Sequence, residues 1–234
     1  MSGGRGLFIT LEGGEGAGKS TQLRRVVEWL RGRGHRVLQT REPGGTAVSE
    51  RIREILLDRE HAALDERTEL LLMFAARAQL LAERIRPALD AGETVVCDRF
   101  TDATWAYQGG GRGLPAAQIA TLEELVHGDL QPDLTLLLDI DVVAGLARAA
   151  GRAAPDRFEA EERAFFERVR AAYLDRARRF PERFRVVDAS GGVEAVWRSI
   201  EAVLETVLAA GAGPGDAPGR GRIVRRGSAG DRHG

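Results

Sequence analysis

A glycine-rich segment near the amino terminus has the residue types and spacing of a phosphate-binding loop. It reads Gly13-Gly14-Glu15-Gly16-Ala17-Gly18-Lys19-Ser20-Thr21. The segment contains the pattern G-x-x-x-x-G-K-[ST], in which glycines let backbone N–H groups turn toward an anion and a following helix adds a partial positive charge. In such loops the lysine reaches the β- and γ-phosphates and the hydroxyl binds Mg²⁺, so we expect these roles for Lys19 and Ser20. The segment predicts a nucleoside triphosphate site.

Two features of the composition narrow the class of triphosphate protein. Lys19 is the only lysine in the chain, so a composition that otherwise uses arginine keeps one lysine at this position. The chain has no asparagine, whereas the guanine-reading N-K-x-D sequence of a regulatory GTPase requires one. A motor or transport ATPase normally needs more chain than 234 residues to couple hydrolysis to work. A small kinase remains.

Short apolar strands alternate with longer amphipathic helices along the chain. The predicted strands are Leu7–Leu11, Val37–Thr40, Thr94–Cys97, Leu134–Leu138 and Arg185–Val187. The predicted helices are Gln22–Arg33, Val48–Leu57, Glu66–Leu89, Ala116–His127, Glu159–Phe180 and Val193–Leu208. This alternation predicts a three-layer α/β fold, a doubly wound parallel five-stranded sheet with helices on both faces. Open parallel sheets bind ligands at the carboxyl ends of their strands, so the loops there are the candidate sites.

Three further segments follow predicted strands. They are T-R-E-P-G-G-T at 40–46, D-R-F at 98–100 and A-Y-Q-G-G-G-R-G at 106–113. Asp98 ends an apolar strand, where a Walker-B acid would hold Mg²⁺ directly or through water. Arg99 carries a planar fork of donors that suits bidentate contact with phosphates. The alternatives are a strand-end cap or a structural ion pair for Asp98, and a surface salt bridge for Arg99.

Together with the phosphate loop, these segments resemble the bacterial thymidylate kinases over about residues 7–208. The resemblance implies phosphorylation of dTMP to dTDP with ATP and Mg²⁺, by direct in-line phosphoryl transfer, in dTTP synthesis. It also implies a homodimer. The alternatives are a kinase for another pyrimidine deoxynucleotide or a deoxynucleoside, and a nucleotide-dependent switch that holds a partner through a basic tail.

The resemblance assigns roles to residues around the acceptor nucleotide. It places Glu15 at the sugar 3′-hydroxyl, Arg53 at the 5′-phosphate and Arg77 at O4 of the pyrimidine. Arg99 would touch both the acceptor phosphate and the transferring group. The other residues expected at the acceptor are Glu42, Pro43, Thr104, Tyr107, Gln108, Asp156 and Glu159. Among these, Thr104 and Gln108 are assigned to the base edge, and Tyr107 to the space that a ribose 2′-hydroxyl would need.

The residue that stacks on the base stays open between two neighbours. Many relatives have Phe four residues before the arginine that corresponds to Arg77, but this chain has Met73 there and Phe74 three residues before it. Side chains three and four positions apart lie on the same side of a helix, so either one could cover the base. A Met-Phe pair on an apolar helix is also commonly core.

Residues 148–159 form a basic stretch that is interrupted by Gly and Pro. Such a segment suits a lid that closes over the polyphosphate and excludes water. The phosphate loop carries no arginine. Relatives of that kind supply an arginine from the lid, so the resemblance makes Arg152 or Arg148 the transition-state cation.

Composition and charge exclude several other partners. The 34 basic residues balance 35 acidic ones, so we expect no nucleic-acid partner and no membrane partner. The single cysteine, Cys97, excludes an internal disulfide framework, and together with the lack of long apolar runs it suggests a cytoplasmic protein. We expect one folded domain at 1–208, and a disordered tail rich in Gly, Pro and Arg at 209–234.

Overall fold

A parallel five-stranded sheet is the framework of the computed structural model, which describes residues 5–61, 64–150, 157–158 and 161–209. The strands are β1 (Phe8–Glu12), β2 (Val37–Arg41), β3 (Thr94–Asp98), β4 (Leu134–Asp139) and β5 (Phe184–Asp188). Their order across the sheet is β2-β3-β1-β4-β5, and every neighbouring pair is parallel. The predicted fold class and all five predicted strands are confirmed.

Helices cover both faces of the sheet. They are α1 (Lys19–Gly32), α2 (Ala47–Leu57), α3 (Glu66–Leu80), α4 (Arg86–Asp90), α5 (Thr101–Thr104), α6 (Ala116–Val126), α7 (Val142–Ala149), α8 (Arg163–Arg179) and α9 (Val193–Ala209). Two π-helical stretches join neighbours, at Leu81–Ile85 between α3 and α4 and at Trp105–Gly111 after α5. Within the described residues, no helix has the length and apolar character that crossing a bilayer requires.

The core has one apolar layer on each side of the sheet. Ile9 and Leu11 of β1 pack against α1 and α9, while Phe8 packs with Leu80 and Phe100 on the other face. All five β1 residues are buried, which explains why the strand is apolar along its whole length. Cys97 lies fully buried in the same layer as Phe8.

The strand register brings the candidate residues to one edge. Leu11 is opposite Asp98 of β3 on one side and Leu136 of β4 on the other. The carboxyl ends of β1 and β3 therefore finish side by side, and the loops that follow them start within reach of each other. This alignment is what places the phosphate loop next to Arg99.

Two predicted segments have different boundaries in the structure. The single predicted helix Glu66–Leu89 is α3, a π-helical stretch and α4 in succession. The first two residues of the predicted lid belong to α7, and of the rest only Ala150, Arg157 and Phe158 are described. Of the predicted tail, residue 209 ends α9, and 210–234 lie outside the described residues.

His127 follows α6, is buried and links this helix to α5 through a hydrogen bond. Its Nδ1 lies 2.9 Å from the Leu130 carbonyl oxygen, and Nε2 lies 2.9 Å from Thr101 Oγ1. Because a carbonyl only accepts, Nδ1 is the donor, and in the neutral ring Nε2 then accepts from the Thr101 hydroxyl. Burial, and then the positive charge of Arg77, lowers the pKa of His127 to about 4.

We expect His127→Gln to remove part of the acid sensitivity of the fold. Between pH 6.5 and about pH 4, His127 is protonated in the unfolded chain but neutral in the folded one. The free energy of unfolding therefore decreases as the pH falls through this window. At about 1.4 kcal/mol per pKa unit, the wild type should lose about 2–3 kcal/mol more than the variant between pH 7 and pH 4. Urea unfolding at several pH values measures this difference. Parallel pH profiles for the two proteins would contradict it.

Candidate active site

The phosphate loop connects β1 to α1, and two of its glycines are required by close packing and by backbone conformation. Gly13 and Gly16 have φ values of 141° and 71°, in the region that side chains disfavour. A Cβ on Gly16 would lie 1.9 Å from the Gly145 carbonyl oxygen of α7. The ammonium of Lys19 turns back over the loop and donates to the carbonyls of Gly13 and Gly14, at 3.0 and 2.8 Å. Burial, and then the charge of Arg99, lowers the pKa of Lys19.

Arg99 links the phosphate loop to the helical side of the site. Its φ of 69° is the only positive value of a non-glycine residue among those described. The guanidinium donates to the Gly13 carbonyl at 3.1 Å and to a Glu15 carboxylate oxygen at 2.8 Å. It also donates to the hydroxyls of Tyr107 and Tyr173, at 3.0 and 3.1 Å. Left-handed backbone at a bulky residue costs energy, so these four contacts hold a strained conformation in place.

Glu12, the last residue of β1, supports that conformation from behind. One carboxyl oxygen accepts the backbone N–H of Phe100 at 2.7 Å, and the other accepts the Tyr173 hydroxyl at 2.8 Å. Burial, and then the nearby Asp102 carboxylate, raises the pKa of Glu12 to about 8. Glu12 therefore fixes the peptide that follows Arg99 and one of the hydroxyls that Arg99 contacts.

A cavity of about 270 Å³ opens beside the loop. On the phosphate side it is lined by Glu15, Gly16, Gly18, Lys19, Ser20 and Arg99. On the acceptor side the sequence-predicted residues are Glu42, Pro43, Arg53, Arg77, Tyr107 and Gln108. Thr104 and Asp98 also face it. The structure thus brings residues from four separate sequence segments to one cavity, as the resemblance implies.

At one end of the cavity, the side chains of Arg77 and Glu42 have buried polar atoms without a hydrogen-bond partner in the described part of the chain. Arg77 is 2% exposed, and its Nε donates to Glu42 Oε2 at 2.8 Å while one terminal nitrogen donates to Thr104 Oγ1 at 3.0 Å. The other terminal nitrogen of Arg77 and Oε1 of Glu42 are buried and have no hydrogen-bond partner in the described part of the chain. Buried polar atoms are nearly always hydrogen-bonded, so this end suits a polar ligand group.

The structure separates the two candidates for stacking on the base. Met73 lines the cavity, whereas Phe74 is not among its lining residues. Phe74 is buried with Leu70 and Ile119, and the guanidinium of Arg77 lies 4.7 Å from its ring centre. Met73 is the one of the pair that can contact a ligand, and Phe74 belongs to the wall behind Arg77.

Glu15 and Tyr107 form one side of the cavity together with Arg99. The Tyr107 hydroxyl donates to Glu15 Oε1 at 2.8 Å, the same oxygen that accepts from Arg99. Burial raises the pKa of Tyr107 well above its ordinary value, so the phenol stays protonated as a donor. Across the cavity Arg53 donates to the Pro43 carbonyl at 2.8 Å, which anchors the loop after β2.

The donor set near the phosphate loop fits a magnesium ion bound in part by a polyphosphate. Oδ1 of Asp98 is buried and, within the described ranges, lacks a hydrogen-bond partner. Ser20 is exposed and also lines the cavity. No cluster of three or more Asp, Glu, His or Cys residues that could hold a metal occurs among the described residues. Mg²⁺ is typically bound through one or two carboxylates plus substrate phosphates, which matches this arrangement.

The predicted lid residues have separate outcomes. Arg148 lies on α7, where its guanidinium donates to the carbonyls of Ala189 and Ser190 after β5, and it is not among the residues that line the cavity. Arg152, Asp156 and Glu159 lie outside the described residues. Their assigned roles stay predictions.

Some residues that shape the site are missed by the sequence analysis. Phe158 lines the cavity, and its ring meets that of Tyr107 edge-on with centres 6.0 Å apart. Its position as the lone aromatic of residues 148–159 is the signal that could have indicated it. Glu12 and Glu69 are also missed, although an acid within an apolar strand or an apolar helix face is a recognisable anomaly.

The parallel sheet, the phosphate cradle and the facing cavity define a nucleotide kinase of the P-loop class. The family model for thymidylate kinase matches residues 11–200. The chain belongs to the thymidylate kinase family, and it is an enzyme that phosphorylates dTMP with a nucleotide phosphoryl donor.

Individual relatives are similar over almost the whole described domain. A thymidylate kinase of Pseudomonas savastanoi pv. phaseolicola is 60% identical over 203 residues, which cover 87% of this chain and 97% of the relative. One of Alcanivorax borkumensis is 57% identical over 204 residues, covering 87% and 98%. A crystal structure of thymidylate kinase from Ehrlichia chaffeensis matches with a TM-score of 0.69 at 33% identity, covering 86% of this chain and 99% of that one.

We expect Met73→Ala and Phe74→Ala to have opposite signatures. Met73 contacts the cavity, so its truncation should raise KM for dTMP several-fold and change the melting temperature little. Phe74 fills the buried wall, so its truncation should lower the free energy of unfolding by about 3–5 kcal/mol. Steady-state kinetics and urea unfolding on both variants measure this. A large rise in KM for the Phe74 variant at unchanged stability would show that Phe74 is the ligand contact.

Proposed function

We propose that this enzyme carries out ATP + dTMP → ADP + dTDP with Mg²⁺, and that Arg99 is its central catalytic residue. The observation that carries the proposal is the position of the Arg99 guanidinium, which contacts the phosphate loop at Gly13 and Glu15 and the acceptor side at Tyr107. A cation at that junction faces the place where donor and acceptor phosphates meet. Positioning and cancellation of charge supply most of the catalysis in phosphoryl transfer.

The acceptor needs no general base. Its attacking atom is a phosphate oxygen, which is largely dianionic at neutral pH because the second phosphate pKa is near 6. What the protein supplies is a fixed in-line arrangement and exclusion of water. The buried cavity walls at Arg77 and Phe158 support both requirements.

Lys19 and Ser20 hold the donor polyphosphate in this proposal. Lys19 exchanges its contacts with the Gly13 and Gly14 carbonyls for the β- and γ-phosphates, a movement within reach of its flexible side chain. Ser20 and Asp98 would hold Mg²⁺, which supplies neutralisation of the charge that develops on the phosphate oxygens. Of the lid arginines, Arg152 remains a proposed second cation, whereas Arg148 of α7 is bonded to carbonyls of the loop after β5.

Acceptor choice follows from groups around the cavity. Arg53 would bind the 5′-phosphate and Glu15 the 3′-hydroxyl, and Met73 would cover one face of the base. Tyr107 occupies the space of a ribose 2′-hydroxyl and so disfavours ribonucleotides by steric exclusion. Arg77 offers its remaining N–H to O4 of thymine, and Gln108 reads the base edge. We also propose, from the resemblance, a homodimer that acts in the cytoplasm without a nucleic-acid or membrane partner.

We expect Arg99→Ala to lower kcat by about 10³-fold or more, the scale of a cation that stabilises the transition state in phosphoryl transfer. ATP affinity should change far less, because Lys19 and the loop amides stay in place. The matched control is Arg51→Ala, which removes an exposed arginine on α2 that pairs with Glu54. A variant with near-normal kcat and a higher KM would contradict the role of Arg99.

A panel of acceptors tests the substrate and separates the alternatives. With labelled ATP we expect turnover to be fastest on dTMP and slower on dUMP, dCMP, thymidine and ribonucleotides, and to stop when EDTA removes Mg²⁺. Fastest turnover on thymidine would favour a nucleoside kinase. Slow ATP hydrolysis that no monophosphate accelerates, and that is lost on deletion of residues 210–234, would favour a nucleotide-dependent switch.

A further inference from the structure

Glu69 is a buried carboxylate with no role in the reaction described so far. It lies in the first part of α3, is 0% exposed and does not line the cavity. A buried charge of this kind is costly unless it is paired. Its surroundings therefore indicate what it is for.

The carboxylate of Glu69 is surrounded by donors. Oε2 accepts from Arg157 at 2.5 Å and from Arg112 at 3.2 Å. Oε1 accepts from Nε2 of Gln108 at 2.8 Å, with Arg112 Nε at 3.4 Å. Glu69 thus forms ion pairs with two guanidinium groups, and a carboxylate in such pairs can only accept hydrogen bonds.

That restriction decides which way the Gln108 side chain faces. An amide has one donating end, the NH₂ group, and one accepting end, the carbonyl oxygen. Because Glu69 takes the NH₂ group, the carbonyl oxygen of Gln108 is the end left for the cavity. Gln108 is 1% exposed and lines the cavity, and its Oε1 accepts no hydrogen bond from the described residues.

Arg77, the other residue proposed to contact the base edge, presents a hydrogen-bond donor instead of an acceptor. Arg77 presents a buried, unpartnered N–H at the same end of the cavity and is tied to Thr104, one helical turn before Gln108. The site therefore offers a donor from Arg77 beside an acceptor from Gln108. A 4-oxo pyrimidine has an accepting O4 beside a donating N3–H, which complements this pair. Cytosine has a donating 4-amino group beside an accepting N3, which opposes both groups.

We propose that Glu69 is a positioning residue for substrate choice: it fixes the Gln108 amide so that its carbonyl faces the base, and the site thereby selects 4-oxo over 4-amino pyrimidine nucleotides. This inference rests on the proposed function, specifically on the placement of Gln108 at the base edge. It assigns the discrimination to a residue that never touches the substrate.

Glu69→Gln tests the proposal because it keeps the shape and supplies an NH₂ group. The two arginines require the carbonyl of the new amide, which leaves its NH₂ group toward Gln108. Gln108 then turns over to accept, and its own NH₂ group faces the base, where it suits N3 of cytosine. The measurement is kcat/KM for dTMP, dUMP and dCMP.

We expect the dTMP to dCMP ratio of kcat/KM to fall at least about tenfold in E69Q, the scale of exchanging one good hydrogen bond for an unpaired group. The dTMP to dUMP ratio should stay within about twofold, because both bases have the same O4 and N3–H. A purely structural loss would lower all three values together and leave both ratios unchanged.

Two further variants provide the controls. E161Q removes a carboxylate that also pairs with Arg112, whereas the Gln108 amide is bonded to Glu69, so both ratios should match the wild type. Q108A removes the side chain that contacts the base edge in the proposed function, and it should lower the dTMP to dCMP ratio of kcat/KM. If Q108A changes that ratio and E69Q does not, the role of Glu69 is wrong. If neither changes it, the placement of Gln108 in the proposed function is wrong, and the inference fails with it.

A second substitution of Glu69, E69D, tests the proposal if E69Q does not fold. E69D keeps the charge that Arg112 and Arg157 need but is one methylene shorter, so its carboxylate withdraws from Gln108 Nε2. The amide of Gln108 is then free to adopt both orientations, and the dTMP to dCMP ratio should again fall while the dTMP to dUMP ratio holds. An unchanged dTMP to dCMP ratio in a folded E69D would overturn the proposal.

Discussion

The arrangement of the site depends on a single arginine held in a strained backbone conformation. Arg99 has a left-handed φ, and its guanidinium contacts Gly13 and Glu15 of the phosphate loop and Tyr107 on the acceptor side. Glu12 holds this conformation by accepting the Phe100 N–H and the Tyr173 hydroxyl. The strain is offset where β1 and β3 end together, because that register places Glu12 next to the turn that contains Arg99.

Buried acidic side chains form a second layer behind the groups that face the cavity. Glu42 orients Arg77, Glu12 supports Arg99, and Glu69 holds Gln108. A cationic or amide side chain aimed at a ligand must be held before the ligand arrives, since reorganisation during the reaction costs rate. A carboxylate in the protein interior does this well, because hydrogen bonds to it are strong and because it can only accept them.

Much of this arrangement was predictable from local sequence. The phosphate loop is one contiguous segment that follows a strand and opens a helix, so its geometry is encoded by neighbouring residues, Gly13 and Gly16 above all. Asp98 and Arg99 were predictable because a strand end fixes where they emerge. The choice between Met73 and Phe74 was not, since helical periodicity places both on similar sides and only packing against Ile119 shows that Phe74 is enclosed. The π-helical stretch that carries Tyr107 and Gln108 also has no periodic signature strong enough to read.

The sequence by itself determined the class of fold and the phosphate loop, because apolar periodicity and contiguous segments are local properties. Through the family resemblance it also predicted most of the residues that line the cavity. Only the tertiary structure decided how those residues are oriented: that Arg77 is tied to Glu42, that Arg148 reaches the loop after β5, and that Glu69 restrains Gln108 from 39 positions away. The physical reason is that hydrogen-bond polarity and burial depend on which distant side chains meet. Those meetings are set by strand register and helix packing, which no short stretch of residues specifies alone.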